Sequence, residues 1–326
     1  MSEPVATVNI GGEFNLIRQF FTHAPHNPQV DCAVGDDAAL LRIASGQQCV
    51  VSSDMLVSGR HFFADVAPRD LGHKALAVNL SDLAAMGAEP IGFTLSLGLP
   101  SMDAAWLSEF SEGMMALARL HDCDLIGGDT TKSENLVINI TVLGQTPSGA
   151  AIMRSGAQVD DDIWVSGSLG EAAYALELLQ NNLPAPMRHR LERPTPRVAT
   201  GMALRGVASA MLDVSDGLAG DLLHILRASH KGAIIDCDAL PLSADLPVEH
   251  AWRLALTGGD DYELCFTAPA AARDSIQKIA ANTQTPLTRI GQITAGEAKI
   301  NWRSVNAPQI LDNMQTWRGY DHFVKG

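Results

Sequence analysis

Aspartates recur along this chain beside glycine or serine and next to short apolar runs. They are Asp36, Asp37, Asp54, Asp129, Asp213, Asp216, Asp260 and Asp261. Carboxylates at strand ends are a usual way for an α/β fold to present ligands to a bound group. Oxygen ligands without a cysteine or histidine cluster suit Mg²⁺ or Ca²⁺ better than zinc. A single Gly-Asp pair is ordinary turn chemistry, but five such places in one chain favour cation binding.

Asp82 lies on a helix that is predicted to begin at Pro68 and to be apolar on nearly every side. A carboxylate in such a helix is unfavourable unless it is paired or bound to a cation. Asn79 lies one turn earlier and is placed to share the same ligand. The alternative is a carboxylate bonded to a backbone amide or an arginine. The pattern favours the ligand role.

Phosphate sites need donors as well as cations. The chain has no GxxxxGK[ST] and no GxG spacing, which excludes the P-loop, Rossmann and protein-kinase glycine loops. Gly128 and Asp129 follow a predicted strand, where backbone amides could cradle phosphate oxygens. Ser215 is placed to cap the helix that follows Asp216, and Arg154 could clamp a phosphate. Each also fits a simpler role as a turn, a cap or a surface cation.

Residues for nucleophilic catalysis are not arranged in any familiar motif. Neither G-x-S-x-G nor HExxH occurs in the sequence. His61 follows the segment of Asp54, although a lone histidine is more often structural. Trp317 lies in an aromatic segment that usually serves packing but could stack on a flat ring.

Composition narrows the class of protein. The 326 residues carry 23 Lys and Arg against 37 Asp and Glu, a net charge of −14, and 46% are apolar. The acidic balance argues against a nucleic-acid-binding surface. No uncharged apolar stretch reaches 18 residues, so no transmembrane helix and no membrane partner are expected. Five widely spaced cysteines without a CxxC pair predict reduced thiols in a cytoplasmic protein.

Strand and helix patterns alternate along the whole chain, which predicts an α/β or α+β fold. The turn-rich segment Gln145–Gly149 predicts a boundary between an N-terminal domain, residues 1–148, and a C-terminal α/β domain, residues 149–326. The segment Ile91–Leu99 alternates large and small residues with the period of a strand. Because a small face allows close approach, we expect this strand to lie at an interface with another sheet or subunit.

One ordered set of motifs runs through nearly the whole chain, from Gly12 to Phe323. The set is GEFNLI, GDDAALL, SSDMLVSGRHF, KALAVNLSDLAAMGAEP, LIGGDTT, RSGA, DVSDGL, GGDDYELCF and WRGYDHF. It resembles the bacterial thiamine-monophosphate kinase family, part of the ATP-binding superfamily that includes aminoimidazole ribonucleotide synthetase. NLSDLAAMGA marks the superfamily, and SGRHF together with WRGYDHF marks the kinase.

The resemblance implies an enzyme that phosphorylates thiamine monophosphate with ATP to give thiamine diphosphate, the last step of that cofactor's synthesis. It implies direct phosphoryl transfer with several Mg²⁺ ions, and no phosphoenzyme. It also implies a two-domain synthetase-like fold and a homodimer. The N-terminal half would bind ATP and metal, and its sheet would form a β-barrel with that of the dimer mate.

The same resemblance implies roles for individual residues. The metal ligands would be Asp37, Ser52, Ser53, Asp54, Asp82, Asp129, Asp213 and Asp216. Gly128, Asp129, Arg154 and Ser215 would bind ATP. His61, Asp260 and Trp317 would contact the thiamine phosphate. The chain departs from the family at Asp260, where the family commonly has glutamate.

Other readings of the motifs remain open. A purine-pathway synthetase shares the superfamily, and so does a selenide-phosphorylating enzyme, which would carry a reactive cysteine near a glycine-rich N-terminus. Cys32 lacks that setting. A hydrogenase-maturation relative would end in cysteine, where this sequence reads HFVKG. A non-catalytic cation-binding or scaffold protein is the reading from a different class, and the intact metal and nucleotide motifs count against it.

Overall fold

The computed structural model describes residues 12–247 and 250–306. These residues form two compact units. The first combines the described residues up to Leu80 with Pro90–Gln145, and the second combines Ser81–Glu89 with the described residues from Thr146 onward. The sequence-based boundary between residues 148 and 149 stays a prediction.

The first unit contains three helices and six strands. The helices are α1 (Glu13–Leu16), which continues as a π-helical turn over Ile17–Phe21, α2 (Pro68–Ala85), whose last residues belong to the second unit, and α3 (Ala104–Leu120). The strands are β1 (Val30–Cys32), β2 (Leu40–Leu41), β3 (Gln47–Val57), β4 (Glu89–Leu99), β5 (Asp124–Lys132) and β6 (Val137–Pro147).

The main sheet of this unit has the strand order β3-β6-β4-β5. Strands β4 and β5 are parallel and are joined through α3, so they form a βαβ unit. The carboxylate of Asp103 begins α3 by accepting the N–H groups of Ala105 and Trp106. Helix α3 buries an apolar stripe that includes Leu107, Phe110 and Met114, as its helical spacing requires. The sheet is open in the described residues, with β3 and β5 at its edges.

Strand β4 confirms the alternating pattern of the sequence but lies inside the sheet. Its large residues, such as Phe93 and Leu97, are fully buried. At Gly92 a Cβ atom would lie 2.8 Å from the Cγ2 atom of Ile126 on β5. Part of the small face is therefore filled by the neighbouring strand of the same unit, and the predicted interface stays a prediction.

The second unit has a larger sheet covered by short helices. Its strands are β7 (Asp162–Ser166), β8 (Ala210–Val214), β9 (Gly232–Asp236), β10 (Glu263–Ala268), β11 (Leu287–Thr294) and β12 (Ile300–Arg303). Its helices are α4 (Glu171–Gln180), α5 (Arg188–Glu192), α6 (Val198–Ala203), α7 (Leu218–Ser229), α8 (Ala251–Thr257) and α9 (Arg273–Thr283). Two 3₁₀ turns lie at Cys237–Ala239 and Ala270–Ala272.

The strand order in this sheet is β12-β9-β11-β7-β10-β8, antiparallel throughout except for the parallel pair β12 and β9. Helix α7 packs its Leu222 and Ile225 into one core with Val165, Leu212 and Ile235 of the strands. Strands β7, β8 and β10 are buried along their whole length. This core fixes the ends of β8 and β10, where four of the candidate aspartates lie.

The prediction of a mixed α/β fold with two halves is confirmed. The sequence pattern predicts a helix over Val198–Ala208, but α6 ends earlier, at Ala203. The sequence patterns missed β1, β12 and α5, which have three to five residues each. Segments that short do not develop a readable period. None of the helices in residues 12–247 and 250–306 is both long and apolar enough to cross a membrane.

Candidate functional site

Ser52, Ser53 and Asp54 lie in the middle of β3, an edge strand of the first unit's sheet. The Ser53 hydroxyl donates to the carbonyl of Ile140 at 3.1 Å. The side-chain amide of Asn139 donates to the Ser53 hydroxyl at 3.1 Å and to the Asp54 carbonyl at 3.0 Å. The neighbouring strand β6 therefore holds this candidate segment from one side.

Asn79 holds the same segment from α2. Its side-chain oxygen accepts the backbone N–H of Asp54 at 3.1 Å, and its amide nitrogen donates to the carbonyl of Ala75 at 3.0 Å. Asn79 is fully buried, and this pairing satisfies an amide that would otherwise be costly to bury. The sequence suggested that Asn79 shares a ligand with Asp82, whereas the structure shows a residue that positions the backbone of Asp54.

Asp37 and Asp129 are exposed carboxylates of the first unit. Asp37 lies in a turn, where its N–H donates to the carboxylate of Asp36 at 2.8 Å. Asp129 lies on β5 and pairs in register with Ser96. Gly128 just before it has φ +144°, and a Cβ atom there would lie 1.8 Å from the carbonyl oxygen of Leu95. Only glycine allows β4 and β5 to meet at this point.

A cavity of about 410 Å³ opens beside the end of β5 in the first unit. Leu16, Leu99 and Met102 give it apolar walls, and Thr130 and Lys132 add polar groups. A concave, mostly apolar pocket with a few polar groups is typical of small-molecule sites. The cavity starts directly after the Gly128-Asp129 pair, which the sequence predicts to bind a nucleotide.

His61 lies in a tight turn after β3. The ring atom Nδ1 of His61 accepts the backbone N–H of Val57 at 3.0 Å, and the backbone N–H of His61 donates to the Val57 carbonyl at 3.0 Å. An Nδ1 atom that accepts a hydrogen bond leaves Nε2 as the nitrogen that carries the proton in the neutral ring. The turn therefore fixes the orientation of the His61 ring through its Nδ1 atom.

In the second unit, Asp213 lies near the end of β8 and is buried. The buried hydroxyl of Ser81 donates to its Oδ2 atom at 2.7 Å. Ser81 directly precedes Asp82 in the last part of α2. That helix is buried along nearly its whole length, as predicted, and the Asp82 side chain is half-buried. The Ser81–Asp213 bond thus connects the two segments that carry the predicted ligands Asp82 and Asp213.

Ser215 and Asp216 form the loop between β8 and α7. The helix begins at Leu218, and its N-cap residue is Gly217 with φ +104° and no side-chain cap. The expectation that Ser215 caps this helix is wrong, because Gly217 separates it from the first turn. The backbone N–H groups of Ser215 and Asp216 instead donate to one carboxylate oxygen of Asp221, at 3.1 and 3.0 Å.

The charges near this loop form a small group. Burial raises the pKa of the Asp221 carboxyl to about 7, although its two backbone hydrogen bonds act in the opposite direction. Burial and the positive charges of Arg154 and Arg227 lower the pKa of His224, one turn further along α7. Arg154 itself is exposed, in the loop before β7. The region therefore offers a cation, a mostly neutral imidazole and the carboxylate of Asp216.

The segment around Asp260 packs on the same loop. The Asp260 N–H donates to the carbonyl of Ser215 at 2.9 Å, and the Tyr262 N–H donates to that of Val214 at 2.8 Å. Asp260 and Tyr262 have φ values of +66° and +51°. Such left-handed conformations in residues other than glycine cluster at functional sites. The Tyr262 hydroxyl donates to Oδ1 of Asp260 at 3.2 Å.

Asp261 has a structural role that differs from that of Asp260. Both oxygens of its buried carboxylate accept the N–H of Gly170, at 3.0 and 3.1 Å. Burial raises the pKa of Asp261 well above its usual value, while the Gly170 bond acts against this. Adjacent aspartates in one Gly-Gly-Asp-Asp motif thus face different tasks: Asp261 anchors the loop, and Asp260 is the one left partly exposed.

The described residues do not bring together two of the predicted features, the metal site and the contact from Trp317. In the described part of the chain, no group of three His, Cys, Asp or Glu side chains has an arrangement that could by itself hold a metal ion. Trp317 lies outside the described residues. A second cavity, of about 530 Å³, is lined by Asp236, Arg289, Trp302 and others, and none of the predicted site residues lines it.

Asn79, Asp221 and Asp261 support the candidate residues. The sequence patterns suggested different roles for Asn79 and Asp261, as possible ligands, and they did not identify Asp221. A signal for Asp221 was present, because it lies three residues after Leu218 and four before Ile225, on the apolar side of α7. The same reasoning selected Asp82. No sequence signal separates the anchoring role of Asp261 from the role of its neighbour.

Two family models match this chain. Residues 35–146 match the N-terminal domain of AIR synthase related proteins, and residues 158–303 match the C-terminal domain of the same family. The chain is 45% identical to a thiamine-monophosphate kinase of Salmonella typhimurium, over 96% of this chain and 98% of the relative. It is 44% identical to that of Escherichia coli, with the same coverage.

Solved structures agree with these relatives. A thiamine-monophosphate kinase from Stenotrophomonas maltophilia superposes with a TM-score of 0.81 and 46% identity, covering 84% of this chain and 92% of that one. A structure described as AaThiL complexed with AMPPCP and TMP superposes with a TM-score of 0.74 and 28% identity, covering 98% of this chain and all of the other. The chain belongs to the AIR synthase related proteins and, within them, to the thiamine-monophosphate kinase family.

Proposed function

We propose that this protein phosphorylates thiamine monophosphate with ATP and releases thiamine diphosphate and ADP. The observation that carries the proposal is 44–45% identity to thiamine-monophosphate kinases over 96% of the chain. A relative that covers 98% of this chain has been solved as a complex with AMPPCP, an ATP analogue, and TMP.

ATP is assigned to Gly128, Asp129, Arg154 and Ser215. The support in the first unit is the glycine-dependent contact of β4 with β5 beside a cavity of about 410 Å³. The support in the second unit is the Ser215 loop, which lies near the charge of Arg154. Backbone amides and guanidinium groups are the usual ligands of nucleotide phosphates.

Mg²⁺ is the cation that the donor set suits. The candidate ligands are all oxygen donors: Asp37, Ser52, Ser53, Asp54, Asp82, Asp129, Asp213 and Asp216. Hydroxyl, carbonyl and carboxylate oxygens match Mg²⁺ rather than a thiol-seeking metal. When bound, Mg²⁺ would supply the positive charge that offsets repulsion between two phosphorylated ligands.

The proposed reaction needs little acid–base catalysis from the protein. A terminal oxygen of thiamine monophosphate attacks the γ-phosphorus of ATP, and the bond from that phosphorus to the β–γ bridging oxygen breaks. The attacking phosphate is already largely ionised, so no strong general base is needed. The protein's task is to hold both phosphates in line. For the acceptor we assign this task to His61, Asp260 and Trp317.

The protein is proposed to act as a homodimer, in which the sheet of the first unit joins its counterpart to close a β-barrel. The support is the outer face of β3, an edge strand on which Val51 and Met55 are 57% and 55% exposed. Exposed apolar residues on an edge strand are typical of a surface that is covered in the functional state. Sedimentation of the purified chain would show twice the mass of 34.7 kDa.

The proposed reaction is tested by incubating the full chain with Mg·ATP and thiamine monophosphate and separating the products by chromatography. Thiamine diphosphate and ADP should appear in equal amounts. ATP should persist when thiamine monophosphate, or Mg²⁺, is left out. Absence of thiamine diphosphate, together with turnover of a purine-pathway substrate, would show that the protein is a different member of the superfamily.

A further inference from the structure

Asp221 is a buried carboxylate to which the proposed reaction gives no role. It lies in the first turn of α7 and is 5% exposed. Its Oδ2 atom accepts the backbone N–H of Ser215 at 3.1 Å and that of Asp216 at 3.0 Å. One oxygen atom therefore holds two successive residues of the loop between β8 and α7.

An acidic residue in the first turn of a helix commonly serves the helix itself, by capping it or offsetting its dipole. Asp221 does not cap its own turn. The N–H groups of Gly220 and Asp221 both donate to the carbonyl of Gly217, at 3.0 Å. The carboxylate turns back toward the preceding loop, so its bonds serve that loop.

Stability of the core alone does not favour an acid at this position. Leu218, Leu222 and Ile225 share the buried side of α7 with Asp221, and an apolar residue would fill the same space without desolvating a charge. Positions where a local rule of stability is broken are expected at functional sites.

We propose that Asp221 is a positioning residue, which fixes the Ser215-Asp216 loop for Mg·ATP through the two backbone hydrogen bonds. The inference rests on the proposed function, because that function assigns Ser215 to ATP and Asp216 to the metal. Asp221 acts through the backbone of the loop and is not itself placed in contact with the nucleotide.

The geometry also indicates which substrate depends on Asp221. The neighbouring loop with Asp260 bonds to the Ser215 carbonyl, but it has separate anchors. Tyr262 is bonded to Val214, and Asp261 is bonded to Gly170. Loss of the hydrogen bonds that hold the Ser215 loop should therefore weaken the binding of Mg·ATP much more than the binding of thiamine monophosphate.

The test compares steady-state kinetics of the full chain with Asp221→Ala and Asp221→Asn. Loss of two hydrogen bonds to a buried carboxylate should raise KM for Mg·ATP about tenfold in Asp221→Ala and change KM for thiamine monophosphate less than about twofold. Asparagine keeps an acceptor oxygen, so Asp221→Asn should recover most of the loss. Asp274→Asn, an exposed acid in the first turn of α9, should behave like the unchanged chain.

Calorimetric titration with Mg·AMPPCP separates this inference from the reaction itself. Weaker binding by Asp221→Ala than by the unchanged chain supports it, even if no thiamine diphosphate is formed. Equal affinity overturns it, and so does an equal rise of both KM values. If Asp221→Ala does not fold, as judged by circular dichroism, Asp221→Ser removes the long acceptor while it keeps a small polar side chain, and the same criteria apply.

Discussion

The two units hold their candidate residues in different ways. In the first unit, Ser53 and Asp54 lie inside β3, and Gly128 and Asp129 lie inside β5, so the regular sheet sets their positions. In the second unit, Asp216 lies on the loop after β8, and Asp260 lies on the loop between α8 and β10. Those loops are tied down by the buried carboxylates of Asp221 and Asp261.

This difference indicates at which residues a substitution can change activity without changing the stability of the fold. A residue whose place is set by sheet register cannot change its backbone without disturbing the sheet. A residue on an anchored loop can lose its side chain while the anchor keeps the backbone in place. We therefore expect substitutions in the second unit to change activity alone, and substitutions at the sheet contact of the first unit to change activity and stability together.

The largest effect is expected for Asp213→Asn in the second unit. Asp213 lies in β8 rather than on a loop, but its side chain is likewise held by a hydrogen bond, from Ser81. The asparagine oxygen can still accept the hydrogen bond of Ser81, so the melting temperature should change by less than about 2 °C. Loss of the negative charge from a proposed metal ligand should lower kcat/KM by about 10²–10³-fold. The checks are the thiamine diphosphate assay and thermal denaturation by circular dichroism.

Ser81→Ala is the matched control for Asp213→Asn. It removes the hydrogen-bond partner and keeps the carboxylate, so its activity should exceed that of Asp213→Asn by at least about tenfold. Equal losses of activity in the two variants, or a large fall in the melting temperature of Asp213→Asn, would contradict the separation of function from stability in this unit.

Gly128→Ala addresses the sheet of the first unit. The added methyl group would meet the Leu95 carbonyl at 1.8 Å, at a φ of +144° that alanine rarely adopts. We expect the free energy of unfolding to fall by about 3 kcal/mol and nucleotide binding to fall with it. Urea denaturation measures the first effect, and calorimetric titration with Mg·AMPPCP measures the second.

Gly127→Ala is the control at the adjacent position of β5. Its added methyl group would lie 3.8 Å from the Cγ2 atom of Thr94, an ordinary contact, and Gly127 does not have a positive φ. This variant should be nearly as stable as the unchanged chain. If Gly128→Ala kept full stability while it lost nucleotide binding, the contrast between the two units would fail.

The smallest expected effect is the pH dependence of stability that comes from Asp261. Its carboxyl keeps a proton to higher pH in the folded chain than in the unfolded chain, because burial raises its pKa. The folded state therefore loses stability relative to the unfolded state as the pH rises above about 4. In Asp261→Asn this contribution is absent, so the variant should gain stability relative to the unchanged chain as the pH rises above about 4.

Urea denaturation at several pH values tests this prediction, with Asp274→Asn as the control. The difference in unfolding free energy between Asp261→Asn and the unchanged chain should grow as the pH rises. A difference that stays constant with pH would mean that the Asp261 carboxyl is not protonated in the folded state, and that the anchor of the Gly-Gly-Asp-Asp loop is charged.

Much of the fold and of the family was readable from the sequence, because strict periods and ordered motifs carry that information. The period of two in β4 predicted its buried face, and the apolar helix around Asp82 predicted burial along α2. The pairing of β12 with β9 was not readable, since it joins four residues of β12 to a strand more than sixty residues earlier. Local patterns do not contain such long-range partners.

The supporting residues show a different limit. The side-chain oxygen of Asn79 bonds the backbone of Asp54, 25 residues away, and the carboxylate of Asp261 bonds Gly170, 91 residues away. Hydrogen bonds from a side chain to a distant backbone group have no characteristic spacing in the sequence. Motifs identify the residues that are predicted to touch ligands, and the structure is needed to identify those that hold them in place.

The backbone conformation of Asp260 bears on the predicted departure from a glutamate, which the resemblance implies for this position. At a φ of +66° a short acid is better tolerated than a long one, because the aspartate side chain can hydrogen-bond locally in the left-handed region. Here that local partner is the hydroxyl of Tyr262. A glutamate at this position would have a longer side chain, but it would adopt the left-handed backbone conformation less readily. The choice of acid at this position of the motif therefore sets either a longer side chain or a more rigid local conformation.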